Sequence, residues 1–185
     1  CSVMQRFFLI LFLMLFNNHV FADVRDKIIQ NLTKTNNLSF KFEQNINGEI
    51  EKGECVIKYP KKIFCNYNLN NKKKLISNGK TLVIKTKTSY YLYPLQKTPL
   101  NLVLDKEYLI SQIKKLKERE IDNKFIVYTF MQNNNEINIF FDKVNYNLIG
   151  WQTLDIYQNL SITYISSITK NQNLNEKIFI LPKKN

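Results

Sequence analysis

Along most of the chain, apolar and polar residues alternate with a period of two. In "LSFKFEQNI", Leu38, Phe40 and Phe42 alternate with Ser39, Lys41 and Glu43, the pattern of a strand with one face in a core and the other in water. "ECVIKYPKKIFCNY" alternates on both sides of Tyr59-Pro60-Lys61. It predicts a hairpin that turns there, with Cys55 opposite Cys65, Ile57 opposite Ile63 and the odd-numbered side chains on one face. "KKLISNGKTLVIKT" predicts a second hairpin at Asn78-Gly79, a pair that accepts the positive φ angles of a tight turn. Alternation returns in "KFIVYTF", "EINIFFD", "LIGWQTLDIY", "LSITYISSI" and a closing "KIFILP", separated by turns at Asn133 to Asn135, near Asn145 to Asn147 and near Gln158-Asn159. Short strands at nearly regular spacing predict one antiparallel meander. Both faces are apolar at mid-strand, as where Ile137, Ile139 and Phe141 neighbour Phe140, so the sheet must curl or be covered.

Two segments have helical spacing instead. From Asp23 to Asn37, Val24, Ile28 and Leu32 share a stripe and Asp23 is a candidate N-cap. "LDKEYLISQIKKLKERE" places Leu104, Tyr108, Ile113 and Leu116 near helical spacing, with charges between them. Before it lies "YLYPLQKTPLNLVL", apolar but interrupted by Pro94 and Pro99. Proline cannot donate to a ladder. From Tyr93, "YPLQKTPLNLVL" is therefore expected to leave the sheet as a flap, laying Leu95, Leu100, Leu102, Val103 and Leu104 over its concave face.

The stretch from Met4 to Ala22 differs from the rest. Arg6 precedes an apolar run from Phe7 to Phe16, and Val20-Phe21-Ala22 follows, the plan of a secretory signal peptide cleaved after Ala22. The run has 10 residues, about half of the ~20 that a spanning helix requires. Cys1 to Val3 precede Met4, whereas a lipid-modified cysteine is expected after the apolar run. The mature chain is thus expected to be exported, soluble and unlipidated, with residues 23–185 forming one domain and no internal repeat or linker.

Removing Arg6 leaves 26 basic against 15 acidic residues, a net charge of +11. Nearly all of it is lysine, with Arg25 and Arg119 the only remaining arginines. Bidentate recognition of phosphate or guanine favours arginine, and the lysines are scattered in short asparagine-flanked groups such as "NKKK" and "LPKKN". No nucleic-acid partner is expected; a solvated basic surface, or one that meets anionic partners, fits better.

The single histidine, His19, lies in the leader. That removes Ser-His-Asp and Cys-His catalysis and histidine metal sites from the mature chain, and no Gly-rich phosphate loop or nucleophile motif stands in for them. No metal, cofactor or catalytic residue is expected. An exported hydrolase using two carboxylates is the alternative. Cys55 and Cys65 are too few for a structural zinc site, and in an exported protein their default reading is a disulfide worth roughly 2 to 3 kcal/mol; two buried free thiols are the other reading.

"SFKFEQ", "GECVIKYPKKIFCNY", "LISNGKTLVI", "YYLYPLQKTPLNLVL" and "INIFFDKVNYNLIGWQTLDIYQNLSITYISSI" follow one another in an order and spacing that resemble the LolA family of periplasmic outer-membrane lipoprotein carriers. The "YPLxxTPL" element is similar to alphaproteobacterial members, and the resemblance extends from about Asp23 to Pro182. It implies a mainly β fold with an α lid: an unclosed antiparallel β-barrel, or half-barrel, covered by short helices around a hydrophobic cavity. It also implies a periplasmic carrier in a Gram-negative bacterium. Such a carrier receives acylated lipoproteins from an inner-membrane lipoprotein-releasing ABC transporter and passes them to an outer-membrane acceptor. A monomer is expected.

On this resemblance Phe40, Phe42, Ile57, Tyr59, Ile63, Tyr67, Leu82 and Ile84 are expected to line the acyl-chain cavity, with Leu95, Leu100, Leu102, Ile110 and Ile113 from the lid and flap. For any one of them, plain core packing is the competing reading. Trp151 is expected to anchor the sheet rather than touch a ligand. Family members often carry an inward arginine just before the hairpin proline, which holds the lid; here Tyr59 stands there, and its phenol can bond a lid carbonyl. Ile63 and Cys65 match aromatic or leucine positions, and the cysteine is a departure that a bridge to Cys55 would explain. Some members continue past the last strand, whereas this sequence stops soon after Pro182. The alternative function on the same half-barrel is a lipoprotein acceptor, or a sensor of lipid or unfolded outer-membrane protein. An acceptor is expected to carry its own lipid anchor and a sensor further domains.

Overall fold

The structure is a computed structural model that describes residues 23–132, 135–155 and 157–184. The expected signal peptide and the centre of the expected turn at 133 to 135 lie outside these residues. Helix α1 (Val24–Lys34) is followed by β1 (Asn37–Ile46), β2 (Glu49–Lys58), β3 (Lys62–Tyr67), β4 (Lys74–Asn78), β5 (Thr81–Lys85) and β6 (Tyr90–Pro94). A 3-10 turn (Leu95–Lys97), α2 (Leu100–Leu104) and α3 (Lys106–Ile113) come next. Then follow β7 (Arg119–Ile121), β8 (Phe125–Gln132), β9 (Asn135–Asp142), β10 (Leu148–Leu154), β11 (Leu160–Lys170) and a 3-10 turn (Glu176–Phe179).

The strands form one antiparallel sheet of 11, ordered β6-β5-β4-β3-β2-β1-β11-β10-β9-β8-β7. It is a half-barrel: β6 and β7 are its two edges and do not pair with each other. The expected single meander is corrected in one respect. The chain builds two meanders, and the first strand joins the last along Leu38↔Lys170 to Ile46↔Ser161. The first hairpin has the expected register, with Cys55↔Cys65 and Ile57↔Ile63. The second turns at the expected residues, with Gly79 at φ +102° and Asn78 Oδ1 accepting from the Lys80 and Thr81 N–H groups.

Curling brings backbones close at two glycines. A Cβ on Gly53 would lie 2.2 Å from Asn66 O and 2.7 Å from Phe42 Cε1, and one on Gly150 would lie 2.4 Å from Thr163 O. Glycine in a strand interior serves such close approaches.

The concave face holds the core. Ile28 and Leu32 of α1, Leu102, Val103 and Leu104 of α2, and Leu109 and Ile113 of α3 pack with Phe40, Ile57, Ile126, Tyr128 and Phe141 of the sheet. Arg25 ties α1 to the end of the cover, donating from Nη2 to Leu116 O at 3.0 Å and Glu118 Oε2 at 2.8 Å.

Four element boundaries differ from the sequence expectation. The flap does not leave the sheet at Tyr93: Tyr90–Pro94 pairs with β5 as far as Pro94↔Thr81, and the chain departs only after Pro94. An edge strand tolerates proline at its end because no neighbour needs that N–H. The helix expected from Leu104 to Glu120 is only Lys106–Ile113, because the Asp105 side chain accepts from Tyr108 N and caps a new helix there, while Arg119–Ile121 is drawn into the ladder with β8. The first helix stops at Lys34 and Asn37 already pairs with Lys58. The expected closing strand is a 3-10 turn capped by Asn175, whose side chain accepts from Lys177 N. Among the described residues no helix is long and apolar enough to cross a membrane.

Candidate functional site

Between the concave sheet and the edge of the cover lies a cavity of about 440 Å³. Its apolar walls are Phe42 of β1, Ile63 of β3, Leu75 of β4, Leu82 and Ile84 of β5, Trp151 of β10, and Pro99 and Leu100 from the start of α2. These residues reach one space because alternation places them on the inward face and the curl converges that face.

The expected site residues divide into two groups. Phe42, Ile63, Tyr67, Leu82, Ile84 and Leu100 stand on the cavity wall. Phe40, Ile57, Tyr59, Leu95, Leu102 and Ile113 are buried in the core, and Ile110 packs against it; none of these seven borders the cavity. Alternation identifies the inward face but not how closely the helices press on it. Near the hairpin tip they press directly, as Lys61 N donating to Leu104 O at 2.9 Å shows, and the face there is solid. Trp151 does both jobs, since its ring meets Phe40 edge-on at 6.4 Å while also bordering the cavity.

Cys55 and Cys65 are joined in a disulfide, and both border the cavity. The bridge crosses from β2 to β3 on the inward face, so the wall there is fixed covalently.

Sequence reasoning did not find the polar side of the cavity. Gln44 of β1 donates from Nε2 to Ser161 Oγ at 2.9 Å and to Thr163 Oγ1 at 3.1 Å. Thr153 faces Ser161 across the β10–β11 ladder, and all four residues border the cavity. Tyr67 continues the row, with its Oη 3.5 Å from Gln44 Oε1. The Lys73 ammonium sits 4.3 Å from the centre of the Tyr67 ring and 2.6 Å from Glu51 Oε2. Burial, with the Glu51 charge beside it, pushes the Tyr67 phenol well above its ordinary pKa, so it remains a neutral donor.

The cover is held at the hairpin tip, but not as expected. The Tyr59 phenol bonds no lid carbonyl: its Oη is buried and has no partner among the described residues, and the nearby Leu104 carbonyl is taken by the Lys61 N–H. Lys61 supplies the latch, pairing through Nζ with Asp105 Oδ2 at 2.9 Å. Lys106 adds a second tie, donating to Thr35 O at 2.9 Å and lying 5.3 Å from the centre of the Tyr59 ring. Burial also pushes the Tyr59 phenol up.

Residues 33–181 match the family described as outer membrane lipoprotein carrier protein LolA. No curated protein matches the chain. Among solved structures, a LolA superfamily protein from Nitrosomonas europaea is similar at 8% identity and a TM-score of 0.47, covering 85% of this chain and 96% of that one. The lipoprotein LppX of Mycobacterium tuberculosis is similar at 9% identity and a TM-score of 0.46, covering 82% and 98%. MucB is similar at 12% identity and a TM-score of 0.48, covering 86% and 62%.

Proposed function

Because the chain belongs to the outer membrane lipoprotein carrier protein LolA family, we propose that it is a non-enzymatic periplasmic carrier that shields lipoprotein acyl chains on their way to the outer membrane. One observation carries this reading: an apolar cavity lies at the edge of a helical cover that is packed on the sheet near the hairpin tip and tied there by the Lys61–Asp105 pair and the Lys106–Thr35 hydrogen bond. A tight core would have no such space.

The volume bounds the cargo. A water- or methylene-sized group occupies about 30 Å³, so 440 Å³ accepts roughly fifteen of them, or one acyl chain. At ~0.8 kcal/mol per methylene, burying such a chain contributes on the order of 10 kcal/mol before the costs of binding. A cargo with further chains requires the cover to swing away, and the Lys61–Asp105 pair is where it would release.

In this reading an inner-membrane ABC transporter supplies the lipoprotein and an outer-membrane acceptor removes it. The lysine-rich surface speeds docking to acidic patches on either partner. The test is co-sedimentation of a triacylated lipoprotein diluted out of detergent. With the purified chain the lipoprotein should stay in the supernatant at one-to-one stoichiometry; precipitation regardless of the chain would sink the proposal.

A further inference from the structure

The inward face of the sheet changes character along its length. On β1 it runs Phe40, Phe42, Gln44, and on β11 it runs Ile165, Thr163, Ser161, with Phe42 paired to Ile165 and Gln44 to Thr163. The polar end inverts the usual partition. Ser161 and Thr163 are 4% and 3% exposed, whereas Leu160 and Tyr164 of the same strand are 46% and 54% exposed. Buried polar side chains are the informative departures from apolar burial.

Hydrogen bonding leaves this wall incomplete. Gln44 donates both amide hydrogens, one to each hydroxyl oxygen, so each hydroxyl accepts and retains its own O–H. Thr153, 8% exposed, adds a third hydroxyl beside Ser161. None of the three donates to a described residue. The wall therefore offers several donors, between the apolar side of the cavity and a rim that carries Glu51, Lys73 and Asp155.

We propose that the Thr153–Ser161–Thr163 wall, positioned by Gln44, is the subsite for the carbonyl oxygen that joins an acyl chain to its head group. An ester or amide carbonyl oxygen accepts hydrogen bonds, and an ester brings no hydrogen that the wall would have to satisfy, whereas an amide adds one N–H. With that oxygen on the hydroxyls, the chain runs toward Phe42, Ile63, Leu82 and Leu100, and the head leaves past Tyr67 and Lys73. This subsite rests on the carrier reading.

The experiment is titration of the mature protein with two synthetic lipopeptides of equal chain length, one ester-linked and one ether-linked, together with an N-palmitoyl peptide. The wild type should bind the ester roughly tenfold more tightly than the ether, the effect of two added hydrogen bonds. The variant S161A/T163V should bring that ratio to about one. If the variant's loss falls on the N-palmitoyl peptide instead, the same subsite serves an amide carbonyl. Equal binding of ester and ether by the wild type, with no loss of N-palmitoyl peptide in the variant, overturns the subsite and leaves the carrier reading standing. So does a variant that binds every ligand more tightly, as a wholly apolar wall requires. A wild type that binds none of the three overturns both.

Discussion

Opening the Cys55–Cys65 bridge should lower the stability of the chain by an amount that its loop length sets. The sequence separation is 10 residues, for which the chain-entropy relation gives about 2.7 kcal/mol at 25 °C. A domain of this size shifts its melting temperature by about 2 to 4 °C per kcal/mol, so the reduced protein should melt roughly 5 to 11 °C lower. Both sulfurs are buried, with Cys55 and Cys65 at 5% and 3% exposed, so the native surface changes little on reduction; the unfolded chain, freed of its cross-link, exposes more surface, and the denaturant m-value should rise rather than fall. The assay is paired thermal and denaturant unfolding of residues 23–185 with and without reductant, with the C55A/C65A variant as a second route to the uncrosslinked chain. The variant should fall at least as far as the reduced protein, because it also loses two buried sulfurs. Melting temperatures within about 2 °C of each other, or two titratable thiols in the unreduced native protein, would refute the reasoning.

Other perturbations test the latch, the close approach and the cavity. D105N should keep the cap on α3, since asparagine caps about as well as aspartate, but lose the charge that Lys61 meets. Amide exchange in residues 100–113 should rise a few-fold while the global melting temperature moves by less than about 3 °C, as for a partly exposed pair; unchanged exchange would deny the latch. Gly53→Ala must displace Phe42 or the Asn66 backbone and should cost about 1–3 kcal/mol in a denaturant titration; a neutral result would mean that the strands are not that close. Ile84→Trp should fill part of the cavity and cut the affinity for a fluorescent acyl probe at least tenfold, by order of magnitude, if two or more methylenes are excluded. Unchanged affinity would place the probe elsewhere. Lipoprotein transfer between membranes should slow markedly between low and physiological salt if lysines steer docking, and a flat dependence would remove that role.

What was legible in the sequence was local. The odd-position alternation across Tyr59-Pro60-Lys61 is enough to pair Cys55 with Cys65, because hairpin register depends on a few residues and one turn. The pairing of β1 with β11 is not local: Phe42 and Ile165 lie far apart in the chain, and alternation does not say which strands are neighbours. Polarity also misleads on β11. By apolarity Leu160 and Tyr164 belong inside, yet they face water while Ser161 and Thr163 face the cavity, because Gln44 and the neighbouring ladder fix the strand's register. The latch was missed for a related reason. The resemblance leads one to expect the lid to be held at Tyr59, but the positive charge is two residues later, at Lys61, and its acidic partner, Asp105, is brought to the hairpin tip only by folding. The alternation in "KIFILP" predicts a strand through Phe179, whereas Phe179 closes a capped turn that packs on β3 and β4.

Whether the cavity carries lipoprotein acyl chains is read from native mass spectrometry of the protein. The protein would be isolated from a periplasm in which a lipoprotein is co-produced, and any bound mass released and identified. A one-to-one complex with the acylated lipoprotein is expected, and it should be lost in Ile84→Trp. Protein recovered empty, or holding only free lipid, would contradict the carrier reading.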